Sequence, residues 1–159
     1  MGQGRDDNRR LGDPGTPAFC VDKYPFFLLN RLVSRYNGAL EPRLRAIGLD
    51  IPSWRVLMIL GERHPRGVRD LAEAAVIPLS TMTRIVQRMA AADLVASGPS
   101  ADDARVTLVA LTPHGEATLE KARSAASPLY TRIIAGLSAA DFDQLTHLLD
   151  QLYVNLAEG

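Results

Sequence analysis

Residues 67–115 read GVRDLAEAAVIPLSTMTRIVQRMAAADLVASGPSADDARVTLVALTPHG. Val68, Leu71 and Ala75 recur at spacings of three and four, which predicts a short helix with one buried stripe. Ala-Val-Ile then supplies a turn. Pro78 opens a second helix, because a missing amide hydrogen costs nothing in the first turn of a helix. The stretch therefore begins with the pattern of a helix-turn-helix.

A predicted β-hairpin follows the second helix. Residues 94–97 are a short strand, residues 98–100 (Gly-Pro-Ser) supply turn chemistry, and residues 106–111 are rich in the branched side chains of a returning strand. Asp103 and Arg105 lie two positions apart near the tip, so in an extended segment their side chains point the same way and can pair. The hairpin predicts a winged helix-turn-helix, a fold that is mostly α with a small β wing.

The second helix carries the candidate chemistry. At 100° per residue from Pro78 to Ala92, one side holds arginines, hydroxyls and an amide without any carboxylate, which are the groups that contact base edges and phosphates in a major groove. The alternative is an ordinary solvated amphipathic face. The expected packing side consists of Leu79, Met82, Val86, Met89 and Ala90. The candidate DNA contacts are Ser80, Thr81, Thr83, Arg84, Gln87 and Arg88 in the helix and Asp103 and Arg105 in the wing.

An arginine held by an aspartate suits a narrow minor groove, which makes Arg105 a candidate for that contact. The alternative is that the Asp103–Arg105 pair only rigidifies the hairpin, since exposed ion pairs are common. The two interpretations are compatible.

Four motifs in linked order resemble the multiple antibiotic resistance regulator (MarR) family. They are Gly67-Val-Arg-Asp-Leu-Ala, Leu79-Ser-Thr-Met-Thr-Arg-Ile-Val-Gln-Arg-Met, Asp103-Ala-Arg and Leu108-Val-Ala-Leu-Thr-Pro-His-Gly, and Gly48-Leu-Asp-Ile-Pro-Ser-Trp-Arg-Val-Leu matches upstream. The resemblance covers about residues 24–157. It implies a homodimer with a winged helix-turn-helix in each protomer that binds double-stranded DNA, and repression that is relieved by a small ligand or an oxidant.

The wing departs from the family pattern. Where the family commonly has arginine after the first wing strand, this chain has Ala96, Ser97 and Gly98. The wing is therefore less basic than usual, which predicts a weaker minor-groove contact.

The flanking sequence predicts dimerisation helices at about residues 24–47 and 113–157, around a winged helix-turn-helix at about residues 51–112. Pro128 predicts a kink in the penultimate helix, and Gly136 its end. The last helix begins with a capping-box-like pair, Ser138 and Asp141, and has a broad apolar stripe that needs a partner surface. The alternative is a stripe that packs within its own chain. The stripe is formed by Phe142, Leu145, Leu148, Leu149, Leu152 and Leu156.

The predicted domain organisation is a flexible N-terminal arm at residues 1–22, because this segment is Gly-rich and polar, and a single domain at residues 23–159. In the family that the chain resembles, an effector pocket would lie between the dimerisation helices and the winged helix-turn-helix, which we call the reading domain. Tyr24, Arg31, Trp54 and Arg55 are the candidates, since an aromatic wall with a guanidinium suits a small phenolic or aromatic acid. Core packing of Trp54 and surface placement of Arg55 are the alternatives.

Composition excludes several classes of protein. The single Cys20 excludes an intramolecular disulfide. The position at which a peroxide-sensing branch of the family has its cysteine is Phe26. His64, His114 and His147 are scattered, which argues against a metal site. The chain has no nucleophile elbow or phosphate-binding glycine loop, so we expect neither an enzyme nor a cofactor.

The sequence also predicts the cellular location and the strength of non-specific DNA binding. The chain shows no apolar run of about 20 residues and no signal sequence, which predicts a cytoplasmic protein without a membrane partner. The formal net charge is zero, so the non-specific affinity for DNA should be modest. The alternative function is a winged-helix module that binds protein without specific DNA binding.

Overall fold

The computed structural model describes residues 8–157, and it confirms a mostly helical chain with a small antiparallel sheet. No helix within those residues is long and apolar enough to cross a membrane. The elements are α1 (Asn8–Gly12), a 3-10 turn (Val21–Lys23), α2 (Pro25–Arg45), α3 (Ile51–Glu62), β1 (Arg66–Gly67), α4 (Val68–Ala75), α5 (Leu79–Ala91), β2 (Val95–Pro99), β3 (Thr107–Leu111), α6 (Pro113–Ile134) and α7 (Ala139–Ala157).

The sheet has the strand order β1-β3-β2. The two-residue β1 was not predicted, since Arg66 and Gly67 are too few to give a periodic pattern. The predicted Gly98-Pro-Ser turn is wrong, because Gly98 and Pro99 belong to β2 and lie opposite Leu108 and Thr107. Pro99 is tolerated there because β2 is an edge strand, where a missing amide donor costs little. The turn of the wing therefore begins at Ser100.

The core lies between α3, α4, α5 and the sheet, with α6 packed on α3 and α2. Its most deeply buried side chains include Leu57, Leu60, Leu71, Met82, Met89 and Val109. Leu79, which was predicted to pack, is 42% exposed, because it is the first residue of α5 and borders an open groove beside the wing. Ile85, which was not assigned to the packing side, is buried.

The start of α6 explains the Thr-Pro-His-Gly motif. The Thr112 hydroxyl accepts a hydrogen bond from the Gly115 amide at 2.9 Å and caps the helix. A Cβ at Gly115 would lie 1.9 Å from the Leu94 carbonyl oxygen, so only glycine lets the helix pass this close to the strand. The helix continues past Pro128 to Ile134, and Gly136 follows with a φ of +90°.

Part of the segment predicted as a flexible arm is described in the structure. Residues 1–7 lie outside the described residues, but residues 8–23 fold back on themselves. The Cys20 amide donates to the Leu11 carbonyl at 2.8 Å, and the Thr16 hydroxyl donates to the Arg10 carbonyl at 2.7 Å. The Asp13 side chain accepts from the Gly15 amide at 2.8 Å. The glycine and proline content therefore forms a turn here.

The two predicted dimerisation helices expose their apolar faces. Among residues 139–156 of α7 no side chain is buried, although the predicted capping box is present: the Ser138 amide donates to Asp141 at 3.0 Å, and the Asp141 amide donates to the Ser138 hydroxyl at 3.2 Å. We call the exposed apolar side chains of the two helices the terminal-helix face. It consists of Phe26, Phe27, Leu28, Leu32 and Val33 of α2 and Leu145, Leu148, Leu149, Leu152 and Leu156 of α7.

Candidate nucleic-acid interface

Helix α5, the reading helix, presents its polar side to solvent. Its buried side is Met82, Ile85, Val86 and Met89, which fixes the rotation of the helix on the core. All six predicted contact residues of this helix are exposed and none is a carboxylate; Arg88 is one, and the other five are Ser80, Thr81, Thr83, Arg84 and Gln87. The Thr83 hydroxyl donates to the Leu79 carbonyl at 3.0 Å within the helix. The other four are oriented away from the core and can meet a groove.

The two arginines of the reading helix have different surroundings. Arg84 is exposed near the middle of the helix. Arg88, one turn later, donates to the Asp50 carboxylate at 2.6 Å and to the Ser53 hydroxyl at 3.2 Å. Arg88, also predicted as a DNA contact, makes both contacts through one guanidinium nitrogen, and its side chain is 59% exposed. The sequence could not reveal this pair because its members are 38 positions apart.

Asp50 makes two kinds of contact at the start of α3. Its carboxylate caps the helix by accepting from the Ser53 amide at 2.9 Å, and it also receives Arg88. Partial burial alone would raise the pKa of Asp50, but the hydrogen bonds from Ser53 and the charge of Arg88 outweigh it and lower that pKa. The carboxylate therefore stays ionised at neutral pH and remains paired with Arg88.

The wing tip holds the predicted ion pair. The Arg105 guanidinium donates to both carboxylate oxygens of Asp103, at 3.1 and 3.3 Å, and the Arg105 amide donates to the same carboxylate at 3.0 Å. These hydrogen bonds lower the pKa of Asp103. The segment is a turn and not the extended strand from which the pairing was predicted. The arginine side chain is 91% exposed, so it is oriented but still accessible.

A groove of about 610 Å³ separates the reading helix from the wing. Thr83 and Gln87 line it from the helix, and Ser97 and Arg105 line it from the hairpin. The fold thus brings predicted contact residues from both elements to one surface. Arg69 of α4 also lines the groove. Arg69 was not among the predicted contacts, although a basic residue at the second position of α4 could have indicated one.

The four predicted effector residues do not share their contacts. Tyr24 packs edge-on against Phe19 and Phe26. Arg31 lies over the Phe27 ring, 5.6 Å from its centroid, and pairs with Asp22 at 3.4 Å.

The other two effector candidates lie in α3. Trp54 is buried in the core with no hydrogen-bond partner for its indole nitrogen within the described residues. Arg55 donates to the Ala75 carbonyl at 3.4 Å. Tyr24 and Arg31 therefore lie in the N-terminal part of α2, and Trp54 and Arg55 lie on α3. Within residues 8–157 no group of three or more His, Cys, Asp or Glu side chains is arranged to hold a metal ion.

Comparisons with known proteins agree with this geometry. Residues 47–106 match the sequence model of the MarR family. The HTH-type transcriptional repressor IacR of Pseudomonas putida is 36% identical over 91% of this chain and 86% of its own length. The chain belongs to the MarR family. The homoprotocatechuate degradative operon repressor of Escherichia coli is 32% identical over 70% of this chain and 75% of its own length.

A solved MarR-family structure shows the same architecture. The transcriptional regulator from Silicibacter pomeroyi superposes with a TM-score of 0.78 and 26% sequence identity, covering 86% of this chain and 92% of its own. As a MarR-family protein, the chain is a DNA-binding transcriptional regulator and not an enzyme. This outcome favours the main prediction over the protein-binding module.

Proposed function

We propose that this protein is a cytoplasmic, effector-responsive repressor that binds a pseudo-palindromic operator as a homodimer. One observation carries the proposal: a reading helix without carboxylates lies across a groove from an accessible wing arginine. A helix in the major groove with an arginine in the neighbouring minor groove is a complete half-site contact. Arg84 and Gln87 would contact the major groove, and Arg105 the minor groove.

The homodimer supplies the second half-site. The terminal-helix face is apolar and uncovered within the described residues, and a face of that kind is stable in water only against a partner. A second copy offers the same surface, which suits a two-fold interface. The two reading helices would then lie about 34 Å apart, one turn of DNA, and would read symmetric half-sites.

Charge is arranged locally and not over the whole chain. The net charge is zero, yet the reading helix contains two arginines and no acidic residue. Phosphate contacts supply much of the non-specific affinity for DNA. We therefore expect specific binding to a selected site together with modest affinity for random duplex.

We propose a small aromatic or phenolic acid as the effector. The name of the Escherichia coli relative refers to degradation of homoprotocatechuate, an aromatic acid. Tyr24 packs against Phe19 and Phe26, and the Arg31 guanidinium lies over the Phe27 ring in the same N-terminal part of α2; aromatic rings with a guanidinium suit an aromatic carboxylate. Trp54 and Arg55 of α3 would line the reading-domain side. An effector that prefers the conformer with misplaced reading helices weakens operator binding by linkage.

The test begins with selection from a random duplex library, using the full chain. We expect recovered sequences to share a pseudo-palindrome and their affinity to fall steeply with salt. A protein-interaction module would select nothing and would show no salt-dependent shift. A panel of aromatic acids added to the selected complex then tests the effector class, with aliphatic acids of similar charge as the control. Release by both sets alike would contradict an aromatic effector.

A further inference from the structure

We propose that Arg88 is a positioning residue that ties the reading helix to the junction of α2 and α3, and that it does not contact phosphate. This inference rests on the proposed function, because the reading helix must first be shown to bind an operator. It separates the two arginines of that helix into different roles. Arg84 meets DNA, whereas Arg88 sets the position from which Arg84 reads.

The contacts of Arg88 join distant parts of the chain. Its guanidinium reaches Asp50 at 2.6 Å and Ser53 at 3.2 Å, both in the first turn of α3 or just before it. Asp50 follows α2, whose apolar residues belong to the terminal-helix face, and precedes α3. Arg88 lies in the last turn of the reading helix. The pair therefore connects the end of the reading helix to the segment that leads from the dimerisation helix.

The electrostatics disfavour a phosphate at this arginine. A phosphate that approached the Arg88 guanidinium would also approach the Asp50 carboxylate, 2.6 Å away, and like charges repel. Asp50 cannot leave without cost, because it also caps α3 through the Ser53 amide. Both members are partly exposed, at 59% for Arg88 and 44% for Asp50, so the pair is solvent-screened and its influence on stability should be small.

Apolar packing holds the buried side of this helix end, and the pair is the polar contact beside it. The first turn of the reading helix follows α4 directly through the turn at Val76. At the last turn, Met89 is buried beside a cavity of about 400 Å³ that Asp50, Ser53 and Arg88 line together. The 2.6 Å contact can orient the helix end in a way that apolar contact alone does not, since hydrogen bonds are directional.

Asp50→Asn is the decisive variant. Asparagine still caps α3, because its side-chain oxygen accepts from the Ser53 amide, but it carries no charge for Arg88. We expect Asp50→Asn and Arg88→Ala each to weaken binding to the selected operator by about two- to fivefold. The double variant should be no weaker than either single one, because both remove the same interaction. The salt dependence and the affinity for random duplex should stay as in the parent.

Glu41→Gln is the matched control. Glu41 also pairs with an arginine, Arg45, at 2.8 Å on the surface of α2, and although Arg45 lines the cavity beside Arg88, Glu41 itself does not. The control removes one negative charge as Asp50→Asn does, and we expect it to leave operator affinity unchanged. Thermal melting of each variant checks that the fold is retained. If Asp50→Asn does not fold, Asp50→Ser with Arg88→Ala gives the same comparison, since serine also caps a helix but carries no charge for Arg88.

Two results would overturn the inference. If Arg88 contacts phosphate, Arg88→Ala lowers the salt slope by about one, and Asp50→Asn strengthens operator binding beyond Glu41→Gln because it frees the arginine. If the pair is merely structural, melting changes while operator affinity at a temperature where all variants are folded does not. A parent protein without salt-dependent binding to any selected duplex would instead contradict the proposed function itself.

Discussion

The reading domain and the terminal-helix face are built from similar apolar patterns but reach opposite degrees of burial. Leu57 and Leu71 in the reading domain are fully buried, whereas Leu32 of α2 and Leu148 of α7 are 55% and 46% exposed. Periodicity predicts a buried stripe in each case. The difference is the number of neighbouring elements: α3, α4, α5 and the sheet surround one core, while α7 has little of the described chain against it.

This comparison indicates that the two regions are stabilised in different ways. Burying one leucine side chain contributes about 1.5–3 kcal/mol relative to exposing it. The reading domain obtains this contribution within one chain, so its core forms without a partner. The side chains of the terminal-helix face obtain it only on association, and the stability that they contribute therefore depends on protein concentration. Substitutions in the two regions should have correspondingly different effects.

The largest effect is expected for Leu148→Asp combined with Leu152→Asp. Each aspartate places an unpaired charge on the surface that a second copy would cover, and a buried unpaired charge is too costly to retain. We expect loss of the dimer in sedimentation at micromolar concentration, with partial unfolding. His147→Asp, which lies on the opposite side of α7, is the control and should remain dimeric. Dimerisation of the double variant would place the interface elsewhere.

The second prediction tests the reading domain. Leu57→Ala removes a fully buried side chain from the core and should lower the free energy of unfolding by about 2–5 kcal/mol in urea denaturation. Met58→Ala is the control on the next position, since Met58 is 38% exposed and its truncation should cost well under the same amount. Equal costs for the two variants would mean that the core is not the source of stability described here.

The same contrast explains which features of the fold could be predicted from the sequence alone. Local signals located the helices within a few residues, because capping and periodicity act within one turn, and the predicted capping box of Ser138 and Asp141 is present. The predicted extent of the first wing strand was wrong, because β2 continues through Pro99. A proline fits an edge strand, and only the strand order shows which strand is at the edge. The Gly115 requirement likewise depends on where Leu94 lies.

The candidate site divides in the same way. Helical geometry placed the polar face of the reading helix correctly and the spacing of Asp103 and Arg105 predicted their pairing. The partner of Arg88 could not be predicted, because Asp50 and Ser53 reach it only through the tertiary fold. The effector residues remain a prediction. Tyr24 and Arg31 lie in the N-terminal part of α2, next to the terminal-helix face, and the surroundings of that face are completed only in the dimer.

The third prediction concerns Arg84 on the exposed face of the reading helix. Arg84→Ala should weaken operator binding without changing thermal melting, because the side chain is exposed. If Arg84 reads a guanine, discrimination at one position per half-site should fall by about 1–3 kcal/mol. If it contacts phosphate, all sequences should weaken alike. Arg132→Ala, on α6, removes the same charge away from the groove and serves as the control.

Footprinting and competition with substituted operators decide between the two roles of Arg84. Unchanged affinity for both specific and random duplex would remove Arg84 from the interface. It would also weaken the contrast between Arg84 and Arg88, because neither arginine would then contact DNA.

The smallest effects are expected at the wing, where Arg105 and Asp103 form an exposed pair. Arg105→Ala should cost more operator affinity than Asp103→Ala, because the arginine side chain would enter the minor groove while the aspartate only orients it. Removing Asp103 also takes a negative charge away from the phosphates, which should partly offset the lost orientation. Binding assays on operators that differ only in their flanking base pairs measure both effects. The loss for Arg105→Ala should be greater with A·T-rich flanks, since a narrow minor groove attracts arginine most strongly.

If Arg105→Ala binds as tightly as the parent, the pair is a structural clasp. If Asp103→Ala is the weaker binder, the shape of the turn held by the Asp103 carboxylate matters more than the reach of the arginine.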